Sequence, residues 1–440
     1  MEHILNCCLK QADSAEIIYA QRESMPVKFE SNKLKCIRLK QTEGIGLRVI
    51  HHGQIGFSST TAAGDIASNP DRIDKLITYA MESASFGQEA RFVFPSQPET
   101  LKDVCIFDKE TALLSDREIK TMGEEIIACI LEKEPDIQCG LEINRSMSTI
   151  RILNSSGLDV SYEKSHLSVS VEGLLVSGQS LIWVFDGEWS CKYSKDLLSK
   201  IPQKIIDVLS LTKKDAVVKT GQMPVIFTPH VVSILLEPIE LGLNGKMVQK
   251  GVSPLGERIG QQIVDSRLNI MDDATIDFAS NSCPIDGEGV STSKSALIEN
   301  GILKRHLFDL QTAGLMNSKS TGNGYRSFDS LPSPHCSNLV VQPGEMSLDK
   351  MIKQMKNGLI VQQVIGVGQG NVLAGEFSVN VDLGFKVENG EIVGRIKDTM
   401  IAGNVYETLN HLIEIGSEAS CYDSILAPPL WVDGVSVVSE

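Results

Sequence analysis

The period of hydrophobic and polar positions changes several times along the chain. Between Val27 and Leu39 the apolar residues Val27, Phe29, Leu34, Cys36, Ile37 and Leu39 recur at roughly every second position. His52-Gly53 then reads as a turn before Ile55, Phe57 and Ser59 resume the alternation. Successive strand side chains point to opposite faces, so this pattern predicts a small antiparallel sheet. From Asp71 the spacing lengthens to Ile73, Leu76, Ile77, Ala80, Met81 and Ala84, which is one face of a helix, and Pro95 and Pro98 end that unit. Ser115 followed by Glu118 fits a capping box and predicts a helix through Met122, Ile126, Cys129 and Ile130. Strand patterns return from Ser148, Leu167 and Ser180, with Gly178 and Gly187 as punctuation.

A charged helix with Leu197 and Leu198, then Pro202 and the periodic run from Ile205 to Leu211, leads into a Lys-rich stretch. Residues 212–222 are the expected linker, between an N-terminal unit (1–211) and a C-terminal unit (223–440). The second unit opens with an apolar helical segment from Val231 to Val248 and then becomes glycine-rich and strand-rich. One more helix is predicted at Ser347 to Lys356, stopped by Gly358. No clean βαβ alternation is present, so the fold class is α+β, with a mostly antiparallel sheet and long loops in the second half.

The chain has 440 residues, 42% hydrophobic and 22% charged, which suits two or three domains around a buried core. Lys and Arg number 41 against 56 Asp and Glu, a formal charge of -15 that repels a phosphate backbone. Direct nucleic-acid binding is therefore not expected. The ten cysteines form no Cys-x-x-Cys pair, and MEHILNCCLKQADSAE lacks a basic segment and long apolar run, which argues for reduced thiols in the cytoplasm. The apolar run Val231 to Leu236, interrupted by Ser233, is far too short for the roughly 20 residues a membrane helix needs.

The eight histidines form no His-Glu-x-x-His pattern. Asp272, Asp273, Asp277, Asp286 and Glu288, with Cys283 among them, lack calcium-loop spacing and are expected to be a solvated acidic loop. Glu237 and Glu240 share a helix face with Pro238 between them, but paired-carboxylate chemistry also needs a cleft. His335-Cys336 has the residue types of a base and a nucleophile, although adjacent residues seldom face each other. Cys421 is a candidate nucleophile or metal ligand, and a packed thiol is the commoner role. Gly44, Gly46, Gly251, Gly256 and Gly260 read as structural glycines and form no phosphate cradle.

Several distant blocks together resemble the TldD/PmbA family. These are EGIGLRVIHHGQIGFSST (Glu43 to Thr60), GLNGKMVQKGVSPLGERIG (Gly242 to Gly260), the run from Ile285 to Arg326, and the blocks between Gly375 and Gly416. The family has a TldD subunit, with a His-Glu-x-x-x-His zinc helix and a further cysteine ligand, and a TldE or PmbA subunit that lacks the helix motif. Registering the family's Leu-Glu-Gly-Asp element on Leu243-Asn244-Gly245-Lys246 puts its first histidine at Leu236, its glutamate at Glu237 and its second histidine at Leu241. Leucine cannot ligate zinc.

The resemblance implies a noncatalytic PmbA/TldE-like subunit with no metal site of its own. It implies an N-terminal mixed domain and a larger C-terminal domain with a curved or barrel-like sheet. It also implies a TldD-like partner that carries the zinc, and extended or unfolded peptides as substrate. Strand edges of the C-terminal half are expected to hold peptide backbone by β-augmentation. The family's label of DNA gyrase modulator is read as an indirect consequence of proteolysis. The alternatives are a homodimeric peptide-binding or structural protein, and an independent hydrolase using Cys421 or the acidic cluster.

Overall fold

The computed structural model describes residues 1–61, 69–98, 101–178 and 180–439. The first half builds one seven-stranded sheet from β1 (Ser14–Glu30), β2 (Lys33–Ile37), β3 (Lys40–His51), β4 (Gln54–Thr60), β5 (Gln138–Asn154), β6 (Asp159–Ser177) and β7 (Ser180–Ser190). Their order is β4-β3-β1-β5-β6-β7, with β2 pairing on β1, and every pairing is antiparallel. His52 and Gly53 turn β3 into β4 at φ 51° and 75°, a left-handed pair that matches strand twist in a two-residue hairpin.

Helices close the sheet at both ends. They are α1 (Glu2–Cys8), α2 (Pro70–Ala84), α3 (Lys109–Leu113), α4 (Asp116–Lys133) and α5 (Leu197–Leu211). α2 buries Ile73, Leu76, Ile77 and Ala80 against Ile17, Leu47 and Val49. Both halves of the Ser115–Glu118 capping box form at the start of α4. This helix buries Ile119, Met122, Ile126 and Ile130, but Cys129 faces solvent rather than the core. Gly187 lies inside β7 and does not punctuate it, because a Cβ there would stand 2.6 Å from the Trp189 ring. Its bareness makes room for that indole.

The second half begins with β8 (Gly221–Phe227), α6 (Ser233–Leu243) and α7 (Gly245–Gln249). The expected continuous helix from Val231 to Val248 is thus two, divided where Asn244 leaves the helical conformation and its side chain caps α7 through the Lys246 amide. A layer of short strands follows: β9 (Ile270–Asp273), β10 (Lys294–Glu299), β11 (Ile302–Leu303), β12 (Gly324–Tyr325), β13 (Ser333–Pro334) and β14 (Leu339–Val341), with α8 (Leu310–Leu315) among them. Next come α9 (Leu348–Gln354), β15 (Asn357–Ile365), β16 (Glu376–Glu388), β17 (Glu391–Arg395), β18 (Thr399–Asn404), α10 (Val405–Thr408), β19 (Leu412–Ile415), β20 (Ser420–Tyr422), β21 (Ile425–Ala427) and β22 (Leu430–Ser439). Gly358 belongs to β15 and does not stop α9; a Cβ there would press 2.5 Å from the Pro224 carbonyl.

The path β15-β8-β22-β18-β16 returns on itself because β15 also pairs with β16, which closes the sheet as a barrel. Only β15–β8 is parallel in this ring. β8 reads Val225-Ile226-Phe227 without alternation because both of its faces are buried. Val225 and Phe227 join one core with α6, while Ile226 joins Ile360 and Trp431 in a second core shared with α4, α5 and the N-terminal sheet. The two halves therefore share hydrophobic packing. A closed ring also removes its own strand edges, so β-augmentation finds no free edge within it.

Candidate functional site

The helix that corresponds to the zinc helix of the resemblance has no metal-binding face. α6 is Ser-Ile-Leu-Leu-Glu-Pro-Ile-Glu-Leu-Gly-Leu, with Pro238 inside it. Leu236 is 0% exposed within the core around Val225, Phe227 and Val379, Leu241 is half-buried, and Glu237 points to solvent. The hollow beside Glu237 and the segment from Val367 to Val372 has a volume of about 10 Å³. Among the described residues no three His, Cys, Asp or Glu side chains are grouped as metal ligands. The donor set does not fit zinc.

Glu240 turns the other way from Glu237. Its Oε1 accepts the Cys336 amide at 3.0 Å and lies 3.3 Å from His335 Nδ1, so this helix braces a loop. The two glutamates do not converge. His335 Nδ1 faces the Cys336 carbonyl at 2.8 Å, and burial followed by Glu240 and Asp272 pushes the buried Cys336 thiol well above its ordinary value. It is no activated nucleophile. Cys421 lies on β20 with its thiol toward the Asp423 carbonyl at 3.5 Å. Cys421 is exposed, and partial desolvation, then Asp423 and Glu188, push its thiol up to about 11.

The acidic cluster is a correction to the sequence reading. Asp277 alone is exposed, whereas Asp272, Asp273, Asp286 and Glu288 are all buried. Asp272 accepts from Asn323 and from the amide and hydroxyl of Ser337, and Asp286 accepts the amides of Glu288, Val290 and Gly324. These carboxylates satisfy loop amides that would otherwise be buried without partners. Glu288 reaches across to Arg48 on β3 at 2.6 Å, Arg48 lies 3.0 Å from Glu16 on β1, and Glu16 meets Arg326 at 2.6 Å. All four side chains are at most 2% exposed. Phe92 and Phe94 cover the Arg48 guanidinium at 4.9 and 5.1 Å. This network pins the loop layer of the second half onto the N-terminal sheet.

Beside the pin lies a cleft of 350 Å³. Its floor is the sheet face carrying Arg22, Ser146, Ser148, Tyr162, Lys164 and His166, and its walls are the loops at Ser280 to Cys283, Gly322 to Arg326 and His335 to Ser337. Two of the structural glycines, Gly44 and Gly46, shape the same junction. A Cβ on Gly44 would sit 2.2 Å from the Phe328 ring and one on Gly46 2.1 Å from the Phe328 carbonyl, so only glycine lets that loop lie on β3. Sequence reasoning missed the floor. Its signal was the polar alternation of Ser146-Met147-Ser148 and the polar run Lys164-Ser165-His166, but cross-strand register decides which of these become neighbours.

The comparisons with known proteins agree with this architecture. Residues 220–439 match the PmbA/TldA metallopeptidase C-terminal domain and residues 15–84 match PmbA/TldA metallopeptidase domain 1. An uncharacterized protein of Methanocaldococcus jannaschii is 26% identical over 94% of both chains. A metalloprotease TldD homolog of Buchnera aphidicola is 35% identical over 48% of this chain, a match that spans 44% of that relative. The crystal structure of TldE from Thermococcus kodakarensis superposes with a TM-score of 0.91 at 23% identity over the full length of both chains, which establishes the shared fold. With both matched domains in order along one chain, the protein belongs to the TldD/PmbA metallopeptidase family.

Proposed function

We propose that this chain is the noncatalytic, PmbA/TldE-like subunit of a TldD-type zinc metalloprotease that acts on extended or unfolded peptides in the cytoplasm. The reading places its two units at 1–211 and 223–440, joined by 212–222, and pairs it with a TldD-like subunit that holds the zinc. One observation carries it: α6 presents Leu236, an exposed Glu237 and Leu241 where a zinc helix needs two imidazoles and a base. The chain's contribution is then shape. The cleft between sheet and loop layer accepts peptide, and the partner performs hydrolysis. The net charge of -15 disfavours DNA as a ligand.

The test is peptide cleavage with matched metal analysis, for this chain alone and mixed with its host's TldD-like subunit. The expected result is no tightly held zinc and no turnover alone, with chelator-sensitive cleavage in the mixture. Robust turnover by the purified single chain would overturn the assignment. A stable homodimer that ignores the TldD-like subunit would instead favour a peptide-binding protein without a protease partner.

A further inference from the structure

The cleft floor carries two cations, Arg22 and Lys164, that form no ion pair among the described residues. Arg22 on β1, Ser148 on β5 and Lys164 on β6 are direct cross-strand neighbours, so their side chains stand abreast on one face. Arg22 Nη2 donates to Ser146 Oγ at 3.2 Å and Lys164 Nζ donates to the Ser282 carbonyl at 2.9 Å. Among the described residues no carboxylate lies within ion-pair distance of either. Other cations of the same strands are neutralised: Lys28 by Glu142, Arg145 by Glu23 and Arg151 by Asp159. In a chain with charge -15, an unpaired cationic pair beside a cavity is a feature that packing does not explain. His166, one row along, registers the resulting field. Burial first, and then Lys164 and Arg22, lower its pKa to about 4.

The surroundings restrict the ligand. Ser148, between the two cations, and Ser146, one row along, are short, leaving depth above the sheet, and their hydroxyls are donors. Asp286 and Asp423 also line the cleft and oppose a polyanion. Ile18, Ile150, Tyr162 and Ile285 provide apolar surface next to the row, suited to side chains that flank a charged group.

We propose that Arg22 and Lys164, with the hydroxyl of Ser148 between them and that of Ser146 one row along, bind a single carboxylate of an extended peptide. This rests on the reading of the cleft as a peptide site and gives that site its polarity. The carboxylate comes from a peptide C-terminus or from an Asp or Glu side chain, and the chemistry of recognition is the same.

The experiment uses a dansyl-labelled, unstructured peptide without acidic residues, made as the free acid and as the C-terminal amide, and an amide version with one internal Glu. Binding is followed by fluorescence with the full chain, alone and mixed with the TldD-like subunit, for the unsubstituted protein, Lys164→Met and Arg22→Gln. A charge-assisted contact gives the free acid or the internal-Glu peptide an advantage of roughly tenfold over the neutral amide, declining as salt rises. Each substitution should drive that ratio toward one, and unfolding midpoints verify that the variants are folded. An advantage for the free acid alone identifies a C-terminal carboxylate, and one for the internal-Glu peptide identifies a side chain. Equal binding of all three peptides overturns the carboxylate site while the peptide cleft stands. Failure of every peptide to bind, alone and in the mixture, overturns both.

Discussion

Arg48 shows how much one residue joins. It is nearly fully buried between Glu16 and Glu288, with the two phenylalanine rings against its guanidinium. Arg48→Met leaves Glu288 buried without its cation, and breaking a buried pair in this way costs about 3–5 kcal/mol. Denaturant unfolding should show that loss; a change within experimental scatter would mean the network does not hold the halves together. Gly44→Ala tests the same junction by sterics. The added methyl meets the Phe328 ring, and such overpacking costs about 1–3 kcal/mol. Adding Phe328→Ala should recover part of the loss, because the two residues are coupled by contact.

At the scale of elements, α6 tests whether two added imidazoles are enough for this helix to hold zinc, or whether its setting excludes metal. Leu236 is fully buried in a packed core, so Leu236→His/Leu241→His should destabilise the chain by on the order of 2–4 kcal/mol. It should also fail to retain stoichiometric zinc after dialysis. Metal analysis alongside unfolding checks both, and tightly held zinc in a stable double variant would show a helix still poised for metal. The elements read correctly from sequence are those with local causes. α2 follows from spacing, the start of α4 from its capping box, and the β3–β4 turn from His52-Gly53. Gly187 and Gly358 were misread as breaks because a strand glycine is set by what packs over it, here Trp189 and the Pro224 carbonyl.

For the whole molecule, the junction between halves should respond to pH. Asp286 lies in the buried layer with Glu288, and burial, then the Glu288 charge, raise its pKa from 3.8 to about 7. A raised carboxylate pKa means the fold binds a proton that the unfolded chain has released. Its contribution is fully present below the unfolded value and is lost as pH rises toward 7. His166 acts with the opposite sign, since a lowered histidine pKa makes stability rise with pH between about 4 and 6.5. The difference between Asp286→Asn and the unsubstituted protein isolates the carboxylate. Across pH 4 to 7 the unsubstituted protein should lose stability relative to the variant, with a limiting slope of about 1.4 kcal/mol per pH unit. Parallel stability curves would contradict the assignment. The amide must face the Gly324 N–H with a donor or give up other contacts, so its baseline is expected to be lower, but the slope reports titration.

By itself the sequence determined the α+β class, most strands and helices, and the absence of imidazoles from α6, because periodicity, capping and residue identity are local properties. It also carried the family resemblance in blocks spread along the chain. The resemblance already implied a curved or barrel-like sheet, but its closure through β15 and β16, the burial of the acidic cluster and the row of Arg22, Ser148 and Lys164 were decided only by tertiary structure. Each depends on register and on contacts such as Arg48 with Glu288, 240 residues apart, which no spacing along the chain encodes. A buried Asp and a solvated Asp have the same letter; the loop amides and the distant arginine that meet it make the difference.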